Sequence, residues 1–209
     1  MARVARYTPE TVARYEQEGY WTRQYPVDFW QENALRFPER DALVFGTRRF
    51  TWKAAAQAID RLAVGLVHCG FAKDDVLALQ APNSATLMLL RLAAEEAGVI
   101  SLLVPPTFSR AEVGAIAGRL PLAGAVLPNT ERARELAEVY RAGAAPSFRL
   151  LSIGESPLPG AIDVESWLAR SCAPGEPARV LEGRRFRPYE YAAIITTSGT
   201  TGAPRFVEH

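Results

Sequence analysis

The string Thr197-Ser198-Gly199-Thr200-Thr201-Gly202-Ala203-Pro204-Arg205 gathers hydroxyls, glycines and one fixed positive charge directly after the apolar stretch Ala192 to Ile195. A strand that ends in such backbone aims several N–H donors at one point, and Gly199 and Gly202 carry no Cβ to hold an anion away. Ser198, Thr200 and Thr201 can add hydroxyl donors, and Arg205 a planar fork of charge-assisted ones. This chemistry points to polyphosphate binding. A solvated Ser/Thr/Gly surface loop would account for any three of these residues taken alone. The full string favours the phosphate cradle.

Other chemistries find little support. No Gly-x-x-x-x-Gly-Lys-Ser/Thr occurs in the chain, and no Gly-x-Gly-x-x-Gly follows the first parallel strand, which argues against a dinucleotide-binding domain. Cys69 and Cys172 are the only cysteines and lack Cys-x-x-Cys spacing, so they read as small core hydrophobes rather than zinc ligands or a disulfide pair. His68 and His209 have no carboxylate or cysteine at ligand or triad spacing. No residue is assigned a catalytic role and none a metal-ligating one.

The bulk numbers bound the remaining options. With 209 residues, 48% of them hydrophobic, the chain can bury a sizeable core. Its net charge of +1, with basic residues spread along the chain, leaves no electrostatic footprint for nucleic acid. No apolar run reaches the roughly 18 residues of a membrane helix, and Met1 to Tyr7 lacks the apolar core of a signal peptide. The expectation is a soluble, cytoplasmic protein with no membrane or nucleic-acid partner.

The elements that must position the string follow from periodicity. Thr8-Pro9-Glu10 starts a helix in an aromatic arm that packs onto the body, and a second helix spans Val27 to Arg36. Asp41 to Thr51 reads as a hairpin about a Gly-containing turn, and Thr51 caps a helix from Trp52 to Cys69 that Gly70 ends. Strands at Val76–Gln80, Val99–Val104, Gly124–Leu127 and Phe148–Ile153 then alternate with helices at Ala85–Ala97, Arg110–Leu120 and Thr130–Arg141. This alternation predicts an α/β fold: a mostly parallel sheet with helices on both faces, preceded by a short β-hairpin. A Pro- and Gly-rich stretch with one short helix, Val164 to Arg170, precedes a final strand, Tyr191 to Thr196, that delivers the string to the carboxyl end of the sheet.

The string resembles the phosphate-loop signature of the adenylate-forming superfamily: acyl- and aryl-CoA ligases, aryl-acid AMP ligases, luciferases and peptide-synthetase adenylation domains. The usual form is Ser/Thr-Ser-Gly-Thr/Ser-Thr-Gly-x-Pro-Lys, and only Arg205, in the lysine position, departs. Guanidinium and ammonium hold phosphate differently. Of the 24 basic residues, however, only Lys53 and Lys73 are lysine, so Arg205 reads as a tolerated exchange. Further matches come in order: Arg49-Phe50-Thr51-Trp52-Lys53 with Leu66 and Gly70; Pro82-Asn83-Ser84; and Leu92-Ala93 with Ala97-Gly98-Val99. The Gly19-Tyr20-Trp21 arm resembles that of aryl-acid AMP ligases and of some aromatic or cyclic acid CoA ligases, although plain aromatic packing explains it as well.

In that family the loop grips the β- and γ-phosphates of ATP while a carboxylate attacks the α-phosphate. The resemblance gives this role to Thr197, Ser198, Gly199, Thr200, Thr201, Gly202 and Arg205. It implies a parent enzyme using ATP, Mg2+ and CoA to activate an aromatic, alicyclic or medium-chain acid. The chain is expected to be the N-terminal portion of the large AMP-binding domain: residues 1–25 an arm, 26–153 the α/β body, 154–190 the Pro/Gly-rich segment, and 191–209 the strand and phosphate loop. The C-terminal domain is absent on this reading, the remainder of the polypeptide is a missing partner, and the fragment alone is inactive. The alternative is a natural short non-catalytic module that binds nucleotide or a partner.

Overall fold

The computed structural model describes residues 7–142, 144–197 and 205–209. Its arm holds α1 (Pro9–Gln17), whose N-cap Thr8 accepts from the Thr11 N–H. Then come α2 (Pro26–Arg36) and an antiparallel pair, β1 (Asp41–Phe45) and β2 (Arg48–Thr51). Thr51 also caps α3 (Trp52–His68), its hydroxyl accepting from the Ala54 N–H at 3.2 Å. Such a cap stabilises a helix by about 1 kcal/mol.

The main sheet is built from β3 (Val76–Leu79), β4 (Ile100–Leu103), β5 (Leu122–Pro128), β6 (Arg149–Ile153), β7 (Ile162–Asp163), β8 (Ala193–Thr197) and β9 (Arg205–Glu208). Their order is β7-β6-β5-β3-β4-β8-β9, parallel throughout except for β9. The connecting helices are α4 (Ala85–Glu96), α5 (Arg110–Ala117), α6 (Glu131–Ala142), α7 (Val164–Ala169) and α8 (Glu176–Val180).

The period of two along a strand shares the sheet between two cores. Leu77 and Leu79 of β3 pack with α3 and α4, whereas Val76 and Ala78 pack into the other core with Val113 and Ile116 of α5 and Leu136 and Tyr140 of α6. Helices therefore cover both faces, as expected of buried parallel strands. Each fully buried Leu or Ile stabilises this arrangement by about 1.5–3 kcal/mol relative to an exposed one.

Three short elements depart from the sequence expectation. β7 is two residues long and is defined only by pairing with β6. α8 follows a left-handed Gly175 inside the Pro/Gly-rich stretch. β9 is held by β8. In addition, α5 ends at Ala117, short of the expected Leu120, with Gly118 as its C-cap. Cys69 and Cys172 are partly buried rather than enclosed core residues; burial pushes the Cys69 thiol up to about 11. Among the described residues, no helix is long and apolar enough to cross a membrane.

Candidate functional site

β8 carries the Gly/Thr-rich string. It runs parallel to β4, with Ser101, Leu102 and Leu103 opposite Ala193, Ile194 and Ile195. The Thr196 hydroxyl donates to the Leu103 carbonyl at 3.1 Å and pins the end of β8 to the end of β4. β9 then returns antiparallel, placing Thr196 opposite Phe206 and Thr197 opposite Arg205. His209 secures the far end: its N–H donates to the Ala193 carbonyl at 2.8 Å, and its carbonyl accepts from the Ala193 N–H at 3.0 Å.

One face of this hairpin is anchored. Ile194 is buried in the core beneath α5 and α6, and Phe206 packs against the same cluster with the Arg119 guanidinium 4.8 Å from its ring centre. Thr197 and Arg205 are exposed at the carboxyl end of β8. Among the described residues, no carboxylate pairs with Arg205. The expected site residues Ser198, Gly199, Thr200, Thr201 and Gly202 lie outside the described residues. The structure thus locates both ends of the string and sets them side by side.

The start of β8 is fixed by groups with no recognisable spacing in the sequence. The Tyr25 hydroxyl bridges the carbonyls of Arg187 and Glu190, each at 2.7 Å. Lys73 Nζ donates to the Arg185 carbonyl at 2.9 Å and to Glu190 at 3.0 Å, and Arg184 donates to the carbonyls of Ala97 and Phe71. The Arg187 N–H and the Lys73 ammonium hold the Glu190 carboxyl below its usual range despite burial. Burial, and then the negative charge of Glu190 and Glu95, pushes the Tyr25 phenol above its usual range. Tyr25 therefore remains a donor.

The sheet's topology marks a second feature at the same edge. β3 and β5 are neighbours, but their following helices cover opposite faces, and open α/β sheets bind ligands in the crevice formed there. A cleft of about 440 Å³ lies at that position, lined by Ala81, Pro82, Asn83, Ser84 and Thr86 on one side and Pro128 and Ile153 on the other. Ser84 caps α4, its hydroxyl accepting from the Leu87 N–H at 3.1 Å. The Pro82-Asn83-Ser84 turn is thus a helix start at the rim of the crevice. His68 contacts Arg170 at 3.2 Å, away from this edge. Among the described residues, no group of three His, Cys, Asp or Glu side chains could hold a metal ion.

Residues 30–209 match the family model described as AMP-binding enzyme. The mitochondrial medium-chain acyl-CoA ligase ACSF2 of Mus musculus is 28% identical over 190 residues, covering 82% of this chain and 31% of the relative. The peroxisomal benzoate–CoA ligase of Arabidopsis thaliana is 27% identical over 202 residues, covering 87% of this chain and 33% of that one. This chain therefore spans about a third of the length of these curated relatives. Among solved structures, apo MbtA of Mycobacterium smegmatis shares the fold with a TM-score of 0.85 at 21% identity, over 98% of this chain and 37% of that one. The chain belongs to the AMP-binding enzyme family.

Proposed function

We propose that this chain is part of an ATP-dependent ligase that joins a small carboxylic acid to AMP and then passes the acyl group to a thiol, that of CoA. The observation that carries this reading is the fixed pairing of Thr197 with Arg205 at the carboxyl end of the sheet, with the hydroxyl- and glycine-rich residues between them in sequence. Backbone N–H groups and hydroxyls of Ser198, Gly199, Thr200, Thr201 and Gly202 would receive the β- and γ-phosphates of ATP, and the Arg205 guanidinium would add a two-pronged contact. Mg2+ would arrive with the nucleotide, since it binds through phosphates and water more than through protein cages.

The chain's own contribution is positioning and charge stabilisation. A phosphate held in line lowers the barrier to carboxylate attack by restricting motion, and donors aimed at the departing pyrophosphate stabilise the charge that develops there. Residues 1–209 supply the loop and its sheet as the N-terminal portion of the adenylating domain. The region that shapes the acid pocket belongs to the rest of the polypeptide on this reading, and the 209-residue chain alone is inactive.

The substrate class is an aromatic, alicyclic or medium-chain acid. The names of the two relatives, a benzoate–CoA ligase and a medium-chain acyl-CoA ligase, support that range. A cytoplasmic location is part of the same proposal. The test is acid-dependent ATP–pyrophosphate exchange by the longest protein the gene encodes, with the 209-residue chain beside it and a panel of these acids. Exchange by the long form alone supports the reading. Silence from both favours the non-catalytic binding module.

A further inference from the structure

Glu96, at the end of α4, is 6% exposed, yet among the described residues only one of its two carboxyl oxygens is partnered. Oε1 accepts from Gln31 Nε2 at 3.3 Å and from Arg185 Nη2 at 3.2 Å. Oε2 is closed to solvent and has no hydrogen-bond partner among the described residues. A buried carboxylate oxygen without a donor is costly, and neutralising the group relieves that cost. A hydrated cation is too large to reach an atom closed to solvent; a proton is not.

The surroundings are those of a crowded acidic centre. α2 contributes Asp28 and Gln31, and α3 contributes Asp60, whose Oδ1 accepts from the same Gln31 amide at 3.4 Å, together with Arg61. α4 itself adds Glu95, which accepts from the Val27 N–H at 3.3 Å, and Arg91. The segment 181–190 adds Arg185, paired with both Asp28 and Glu96, and Arg187. A cleft of about 790 Å³ runs between that segment and the helices, with Asp60, Glu96, Leu181, Gly183 and Arg185 in its walls.

We propose that Glu96, with Asp60 beside it, is a proton-operated latch that controls how firmly the segment 181–190 is docked ahead of β8. While Glu96 holds a proton, the unpartnered oxygen and the neighbouring Asp60 are tolerated. Ionisation releases that proton to solvent and leaves a buried, half-solvated carboxylate next to a second one. The segment carries Arg185 and forms one wall of the cleft beside Glu96, so it is the element that lifts to hydrate it. Arg185 opposes the change, but burial outweighs it: burial first, and then Asp60, push the Glu96 carboxyl up to about 7. The docked state favours the protonated acid, so this stabilisation is complete below the ordinary value of 4.5 and is lost as pH rises through about 7.

The proposal does not depend on the ligase reading, and its test uses no catalytic readout. Hydrogen exchange of the amides of 181–190 is followed from pH 4 to 8 and corrected for intrinsic rates. The opening constant of the segment should rise on the order of tenfold per pH unit between 4.5 and about 7 and then level off, while β3 and β5 hold steady. Glu96→Gln should shrink the rise, any remainder coming from Glu95, which burial also pushes up to about 7, and an equal rise in that variant overturns the latch. Asp60→Asn provides a second arm: it should move the midpoint to lower pH, and an unmoved midpoint overturns the role of Asp60. Absence of a rise in the unmodified chain overturns the proposal outright.

Discussion

Thr197 and Arg205 face each other across the β8–β9 ladder, so the two ends of the hydroxyl- and glycine-rich string meet at one point on the sheet's carboxyl edge. The pairing follows from the anchors below it. Thr196 ties β8 to β4, and Phe206 seats β9 on the core under α5 and α6. On the proposed reading, an arginine so placed is available to a phosphate held by the string.

Replacing Arg205 with Ala in the longest encoded protein should therefore weaken ATP binding about 10- to 100-fold, the loss of one charge-assisted contact of roughly 1.5–3 kcal/mol. Arg205→Lys should lose far less, since it restores the charge if not the fork. The measurement is the ATP dependence of pyrophosphate exchange. An Arg205→Ala protein with unchanged ATP dependence would remove Arg205 from the site.

Gly98 should be hard to replace. Its φ is +69°, and a Cβ there would stand 2.1 Å from the Arg184 carbonyl oxygen. Gly98→Ala should cost about 3 kcal/mol or more, because backbone must move as well as adopt a strained conformation. Gly46, with φ of +59° and open space around it, isolates the conformational part, so Gly46→Ala should cost only about 1–2 kcal/mol. Urea unfolding of the two variants separates the terms; equal losses would show that the Arg184 backbone gives way freely.

Gly98 also shows what the sequence could reveal. The Ala97-Gly98-Val99 step was readable as a helix end, but its close approach to Arg184 joins residues far apart in the chain. The same division holds for the strands. The alternation of apolar strand segments with helical ones and the cap at Thr51 are local signals, and the parallel sheet and its helices agree with them. The placement of β8 beside β4 and the existence of β7 and β9 depend on partners, and Arg-Phe-Val-Glu carries no strand period of its own. Thr197 and Arg205 stand out as candidates by residue type alone. The Tyr25, Lys73 and Glu190 support behind them was not, because single polar side chains bridging distant carbonyls leave no spacing to read.

Tyr25 supplies a direct test of that support. Its hydroxyl serves the carbonyls of Arg187 and Glu190 at the entrance to β8. Tyr25→Phe keeps the ring packed near Phe186, 6.0 Å between centres, and removes only the donor. The expected loss is about 1–2 kcal/mol in denaturant unfolding with an unchanged slope. A neutral substitution would mean that solvent reaches those carbonyls readily.

The N-terminal arm should come loose in acid, for a reason opposite in sign to the Glu96 effect. Hydrogen bonds from Arg23 and then Tyr189 hold the Glu16 carboxyl down at about 2, against an ordinary 4.5. A group whose value is lowered on docking stabilises the docked state above 4.5 and loses that contribution as pH falls towards about 2. Tyr189 also packs against Trp21, 6.0 Å between ring centres, so undocking exposes that indole. Between pH 4.5 and 2, tryptophan emission of the unmodified chain should shift to the red relative to that of Glu16→Gln, which has no carboxylate to titrate. Because the Arg23–Glu16 pair is solvent-facing, salt should shrink the difference. Identical acid profiles for the two proteins would show that aromatic contacts alone, including Tyr15 against Trp21 at 4.8 Å, hold the arm in place.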